Sequence, residues 1–123
     1  MPHFAVDYSE SLADVFDRRA FAQALHPLTA EVLDTPITNC KTRFRRCEAV
    51  VAADLPGQSL VHVEVALLAG RTDEQKAALS EAVLALVREH TAGAEGVLHA
   101  SVNVGELGAA YRRHIGEAGV AGA

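Results

Sequence analysis

The stretch Leu60-Val61-His62-Val63-Glu64-Val65-Ala66-Leu67-Leu68-Ala69-Gly70-Arg71-Thr72 decides how the rest of the chain is read. Up to Leu68 it is rich in Val and Leu, the composition of a strand lying inside a sheet. Gly70-Arg71-Thr72 ends that strand. Thr72, followed three residues later by Gln75, is a capping-box pattern that opens a helix. Leu79, Val83, Leu86 and Val87 give this helix an apolar stripe, and it is expected to finish by Gly93. Residues 97–104 then alternate again as a strand, completing a β-α-β unit.

The first half of the chain repeats this order. Residues 2–8 alternate, with Phe4 and Val6 on one face and His3, Ala5 and Asp7 on the other. Ser9-Glu10-Ser11 breaks the strand. From 12 to 33 the apolar residues Val15, Phe16, Phe21, Leu25, Leu28 and Val32 recur at helical spacing. Pro27 predicts a kink or two abutting helices near 25–27, because proline removes a backbone donor and clashes with the preceding turn. Asp34-Thr35-Pro36 stops the helix, and 40–51 reads as a strand whose odd positions place Lys41, Arg43 and Arg45 on one face. Asp54-Leu55-Pro56-Gly57-Gln58 is a turn signal. The expected class is α/β (α+β): two β-α-β units forming a mixed four-stranded sheet with two helices on one face. The opposite face then needs a cover, which in so short a chain is another subunit. Residues 1–123 are expected to form a single domain with a short C-terminal tail from about 108. The small, weakly patterned residues 116–123 are expected to fray or to dock on a partner.

Composition limits the function. Half of the 123 residues are hydrophobic, enough for a core, and a net charge of −5 disfavours a nucleic-acid partner. No stretch approaches the roughly 18 to 20 apolar residues that cross a bilayer. Met1-Pro2-His3 is followed by acidic residues rather than a basic leader, so no membrane role and a cytoplasmic location are expected. Cys40 and Cys47 form neither a CxxC pair nor half of a zinc site, and are expected to be reduced thiols in or near a strand. His62-Val63-Glu64 matches part of a zinc-deaminase signature, but its Pro-Cys-x-x-Cys partner is absent, so no metal is expected.

Pro2 is the first candidate for chemistry. A small residue after the initiator permits removal of Met1, which would leave a secondary amine at the chain start. Ordinary α-amino groups titrate near about 8, and nearby cations or a dry pocket lower that value toward the range of a general base at pH 7. With Met1 attached, the Pro2 nitrogen is an amide without basicity. Positive charge is concentrated in Lys41, Arg43, Arg45 and Arg46, a local anion site on an acidic protein, of which one or two are expected to face a pocket. His3, next to Pro2, is expected to point to the opposite face of the strand from it, as a core or interface histidine, with tuning of the entry to the site as the alternative. Tyr111-Arg112-Arg113 is expected to be solvated, with reach to the mouth of a site as the alternative.

Pro2-His3-Phe4-Ala5-Val6-Asp7-Tyr8-Ser9 resembles the opening of the 5-carboxymethyl-2-hydroxymuconate Δ-isomerases, a branch of the tautomerase superfamily. The resemblance continues through residues 21–36 with their internal Pro27, Lys41-Thr42-Arg43, Leu60-Val61-His62-Val63 leading to Gly70-Arg71, and the strand at 101–107. It implies a tautomerase-like fold, a homotrimer, no cofactor, and a proton shuttle by Pro2. It also implies that Arg71 serves catalysis, and it aligns Lys41 with a second-strand arginine of the family. Lysine keeps the charge but loses the planar fork that grips a carboxylate, so Lys41 suffices, Arg43 substitutes, or the substrate differs.

On this resemblance the expected activity is isomerisation of 5-carboxymethyl-2-hydroxymuconate, a small dienol carboxylate, to its 2-oxo-3-ene isomer, in the degradation of aromatic compounds such as homoprotocatechuate. The alternatives are a tautomerase of a phenylpyruvate- or 4-oxalocrotonate-type enol acid, or a catalytically silent trimeric module that binds dicarboxylates.

Overall fold

The structure is a computed structural model and describes residues 2–116. Met1 and residues 117–123 lie outside the described residues, and with them most of the segment expected to fray or dock. The elements are β1 (His3–Ser9), α1 (Arg18–Leu33), β2 (Lys41–Cys47), β3 (Gln58–Leu67), α2 (Asp73–His90) and β4 (Val97–Glu106), with single 3-10 turns at Glu10–Leu12 and Ile37–Asn39.

Each β-α-β unit closes on itself as a parallel pair, β1 with β2 and β3 with β4. The two units join through an antiparallel β1–β3 pair, giving the mixed order β2-β1-β3-β4. Alternation dictates which face is buried. Phe4, Val6 and Tyr8 of β1 and Val61, Val63, Val65 and Leu67 of β3 turn to the helices, which return Phe21, Leu25 and Leu33 from α1 and Leu79, Val83 and Val87 from α2. Each such side chain contributes about 1.5–3 kcal/mol on burial. The opposite face carries His3, Asp7, Lys41, Arg43, Arg45, His62 and Glu64, and it remains open in the single chain.

Three features differ from the sequence reading by more than one or two residues at the end of an element. The first helix begins at Arg18 rather than near Leu12, because Asp17 caps it by accepting the Ala20 N–H at 3.0 Å. Leu12 and Phe16 are buried at helical spacing, but through one isolated turn, closed by Phe16 N–H on Leu12 O at 2.8 Å. Arg18 then binds the Ala13 and Phe16 carbonyls that this turn leaves open. Second, α1 runs through Pro27 as one element and not as two abutting helices. The buried series Phe21, Leu25, Thr29 and Leu33, each four residues apart, holds both sides of the proline on the same core, and this outweighs one missing N–H. Third, β2 stops at Cys47 rather than continuing to Val51, because its partner β1 ends at Ser9, which pairs with Cys47.

The capping box at α2 forms as read. Thr72 Oγ1 accepts from Gln75 N–H at 3.1 Å, and Gln75 Oε1 accepts from Thr72 N–H at 2.9 Å. No helix among the described residues is long and apolar enough to cross a membrane.

Candidate active site

The starts of β1 and β2, the ends of β3 and β4, the C-terminus of α1 and the N-terminus of α2 all meet at one end of the sheet. Pro2 lies there, buried, just ahead of β1. Its carbonyl accepts the Lys41 N–H at 3.1 Å, the first rung between β1 and β2. Because His3 pairs with Lys41 and Ala5 with Arg43, the two cations share the open face with His3, within two rungs of Pro2. The register thus brings Pro2, Lys41 and Arg43 together.

Arg71 reaches the same end by a different route. On the other side of β1, His3 pairs with Ala66, so β3 runs out beside Pro2. Gly70, at φ +115°, turns the chain in a conformation that side-chain-bearing residues rarely adopt. Arg71 follows and donates from Nη1 to the carbonyl of Leu33, the last residue of α1. Open carbonyls and the negative end of the helix dipole favour a cation at this position. Among the described residues its hydrogen-bond partner is therefore Leu33, and not Pro2, Lys41 or Arg43.

The remaining cations of β2 are used otherwise. Arg45 forms a two-pronged pair with Asp7, its direct neighbour on β1, at 2.6 and 3.2 Å. Arg46 donates to the Tyr8 hydroxyl at 3.3 Å and faces Glu10 at 3.9 Å. Among the described residues no acid pairs with Arg43. The charges of Arg45 and Arg46 are thus met by partners at the far end of β2, while Lys41 and Arg43 bring positive charge close to Pro2. His3 feels it: burial first, then Lys41 and Arg43, hold its imidazole below the usual range. Burial likewise lowers His26, whose Nε2 lies 2.7 Å from Thr42 Oγ1, and raises the Cys40 thiol.

Sequence reasoning missed one contact at this end. Tyr111 is half-buried, and its hydroxyl lies 2.7 Å from His3 Nε2, the rings meeting edge to face at 5.7 Å. The segment after β4 is therefore not simply solvated. Only two separate weak cues, a histidine beside Pro2 and an aromatic residue in the tail, were available, since the pair is 108 residues apart.

Away from Pro2, the open face is laced by cross-strand polar bonds. His62 Nδ1 meets Ser101 Oγ at 2.7 Å, His62 Nε2 meets Glu64 at 3.0 Å, and Asn103 donates to Glu64 at 2.6 Å. The bonds from His62 and Asn103 hold the Glu64 carboxyl below its usual range. Among the described residues no three His, Cys, Asp or Glu side chains converge as metal ligands.

Pro2 at the start of a central strand, Lys41 and Arg43 beside it, and Arg71 at the β3–α2 junction thus stand at one end of the sheet. The family model of 5-carboxymethyl-2-hydroxymuconate isomerase matches residues 2–113. The chain belongs to that family. It is thereby an isomerase-type member of the tautomerase superfamily. Among solved structures, a 5-carboxymethyl-2-hydroxymuconate isomerase from Deinococcus radiodurans R1 is similar at TM-score 0.82 and 23% identity, over 93% of this chain and 90% of that one. A 5-carboxymethyl-2-hydroxymuconate delta-isomerase gives TM-score 0.82 at 16% identity, over 94% and 89%. A fused 4-OT wild-type symmetric trimer gives 0.67 at 23%, over 88% and 91%. At these identities the structures carry the fold, which is the tautomerase-like α+β arrangement. Among curated proteins none matches.

Proposed function

We propose that this isomerase acts on 5-carboxymethyl-2-hydroxymuconate, with the free amine of Pro2 as the proton-transferring group and no cofactor. The observation that carries the reading is the register that sets Pro2 beside Lys41 and Arg43, at the end of the sheet where Arg71 also stands. Cations at that end disfavour a protonated amine, which suits a base at neutral pH, and they attract a carboxylate substrate.

In the reaction, Pro2 removes the proton of the 2-hydroxyl, and the oxygen lone pair closes to a carbonyl. The displaced π electrons move along the diene, and the Pro2 ammonium returns the same proton to C5. Atoms and charge balance without metal or redox partner. Lys41 or Arg43 holds a carboxylate, and Arg71 stabilises the negative charge that builds on the oxygens. Loss of Met1 is a requirement of this chemistry.

The assembly belongs to the same reading. Two broad concavities of the single chain, one beside Asp14 to Arg18 and one beside Gly57 to Ser59, lie at the end of the sheet away from Pro2. A homotrimer, as in the trimeric 4-OT structure, would cover the open face and close a pocket around Pro2. We further propose one domain over 1–123, acting in the cytoplasm.

Lys41 in place of the family's arginine favours a second reading, a tautomerase of another enol acid of the phenylpyruvate or 4-oxalocrotonate type. Intact mass establishes whether Met1 is lost. Steady-state assays of wild type and Pro2→Ala with the muconate and the two other enols then test the function. A rate loss of about 10²–10⁴-fold on the muconate is expected. Equal rates would sink the proline mechanism, and preference for another enol would select the second reading.

A further inference from the structure

The segment that follows β4 is built rather than loose. Leu107 N–H bonds Leu67 O at 2.6 Å, which extends the β3–β4 ladder by one rung. Tyr111 N–H bonds Gly108 O at 3.0 Å, closing a four-residue turn, and Arg112 Nη1 caps the Ala109 and Tyr111 carbonyls at 3.1 and 2.8 Å. This turn delivers the Tyr111 hydroxyl to His3 Nε2. Either imidazole tautomer can make this contact; the phenolic O–H is a far stronger acid than the N–H of a neutral imidazole, which favours Tyr111 as the donor and Nε2 as the acceptor. In a neutral ring the proton then resides on Nδ1. His3 sits directly after Pro2, on the face it shares with Lys41 and Arg43. Those cations disfavour the imidazolium, in keeping with its lowered basicity.

We infer that Tyr111 is a positioning residue that locks His3 as the neutral Nδ1–H tautomer, and that His3 thereby gives the site an uncharged donor for a carboxylate or enolate oxygen. This rests on the reading of the Pro2 end as an enol-acid site, and deepens it. A neutral donor among fixed cations adds direction without adding charge. It therefore favours ligands with two adjacent oxygens, such as 2-oxo and 2-hydroxy acids, over simple monocarboxylates.

The test is nitrogen-15 NMR of histidine-labelled protein, wild type and Tyr111→Phe, titrated with oxalate as an unreactive two-oxygen probe. In the wild type the His3 ring should show a protonated Nδ1 and an unprotonated Nε2, and oxalate should shift Nδ1 saturably. Tyr111→Phe should give mixed tautomers and bind oxalate about fivefold more weakly, the size of one lost neutral hydrogen bond. The other five histidines should keep their wild-type signals, showing an intact fold. A wild-type ring protonated at Nε2, an Nδ1 that oxalate leaves unmoved, or unaltered oxalate binding by Tyr111→Phe would each overturn the inference. None of these readouts needs turnover, so a wild type that binds oxalate as expected but isomerises no enol acid would fell the functional reading alone.

Discussion

Arg71 ties the β3–α2 junction to the last carbonyl of α1, at Leu33, a residue 38 positions earlier in the chain. One side chain therefore joins the two β-α-β units at the end where Pro2 stands. Replacing it by alanine removes a charge-assisted hydrogen bond that is part-buried, and should cost about 1–2 kcal/mol in a urea titration. Catalysis should fall much further, by about 10²–10³-fold in kcat, if the guanidinium also stabilises developing negative charge. Arg71→Lys keeps a cation at the helix end and should recover most of the stability but little of the rate. Recovery of both by lysine would reduce Arg71 to a structural clamp.

Asp7 and Arg45 stand opposite each other on β1 and β2, whereas Arg43, two residues nearer Pro2, stands opposite Ala5 and pairs with no acid among the described residues. The pair is exposed, with 57% of the Arg45 side chain accessible, and such pairs contribute about 0–1 kcal/mol. Arg45→Ala should thus leave KM unchanged and stability within that range. Arg43→Ala should raise KM for a carboxylate substrate about tenfold, a loss typical of one charge-assisted bond. The same KM for both variants, measured at equal ionic strength, would remove Arg43 from the binding site.

What was legible in the sequence follows from the range of the forces involved. Strand alternation in β3 and the Thr72–Gln75 box are local, so the order of elements could be read directly, and from it the layered fold. The start of α1 misled because burial of Leu12 and Phe16 imitates helical spacing, while the deciding signal was the single carboxylate of Asp17. The pairing of Arg45 becomes visible only once register sets it beside Asp7. The bonds Arg71–Leu33 and His3–Tyr111 join distant segments, one of them through a backbone carbonyl, which no side-chain pattern encodes.

Thr72 offers a way to separate the position of Arg71 from its chemistry. The capping box fixes the first turn of α2 immediately after Arg71. Thr72→Ala leaves the Gln75 N–H without its side-chain acceptor and should cost about 1 kcal/mol, read as a lowered urea midpoint. Thr72→Ser keeps the hydroxyl and should retain most of that stability. The rate in Thr72→Ala should drop by less than in Arg71→Ala, since the arginine is loosened rather than lost. An equal drop would mean that the cap itself, and not the guanidinium, governs the site.

Acid should weaken the fold in two stages, and the sign follows from which state binds more protons. His3 and His26 titrate below the ordinary imidazole value of 6.5 in the native state, chiefly because burial penalises the charged form. As pH falls through about 6.5 the unfolded chain takes up protons that the native rings refuse, so stability declines, and this loss ends once pH passes below the native values. Glu64 is likewise lowered, here from 4.5 by its bonds with His62 and Asn103. Its contribution is complete above that value and is lost as pH falls through the native one, giving a second, more acidic decline. His26→Gln retains a partner for Thr42 without a titrating ring. Urea midpoints collected from pH 8 to pH 4 should therefore fall less steeply below 6.5 in His26→Gln than in the wild type. Parallel curves would show that His26 takes up its proton equally in both states and contributes nothing to the first stage.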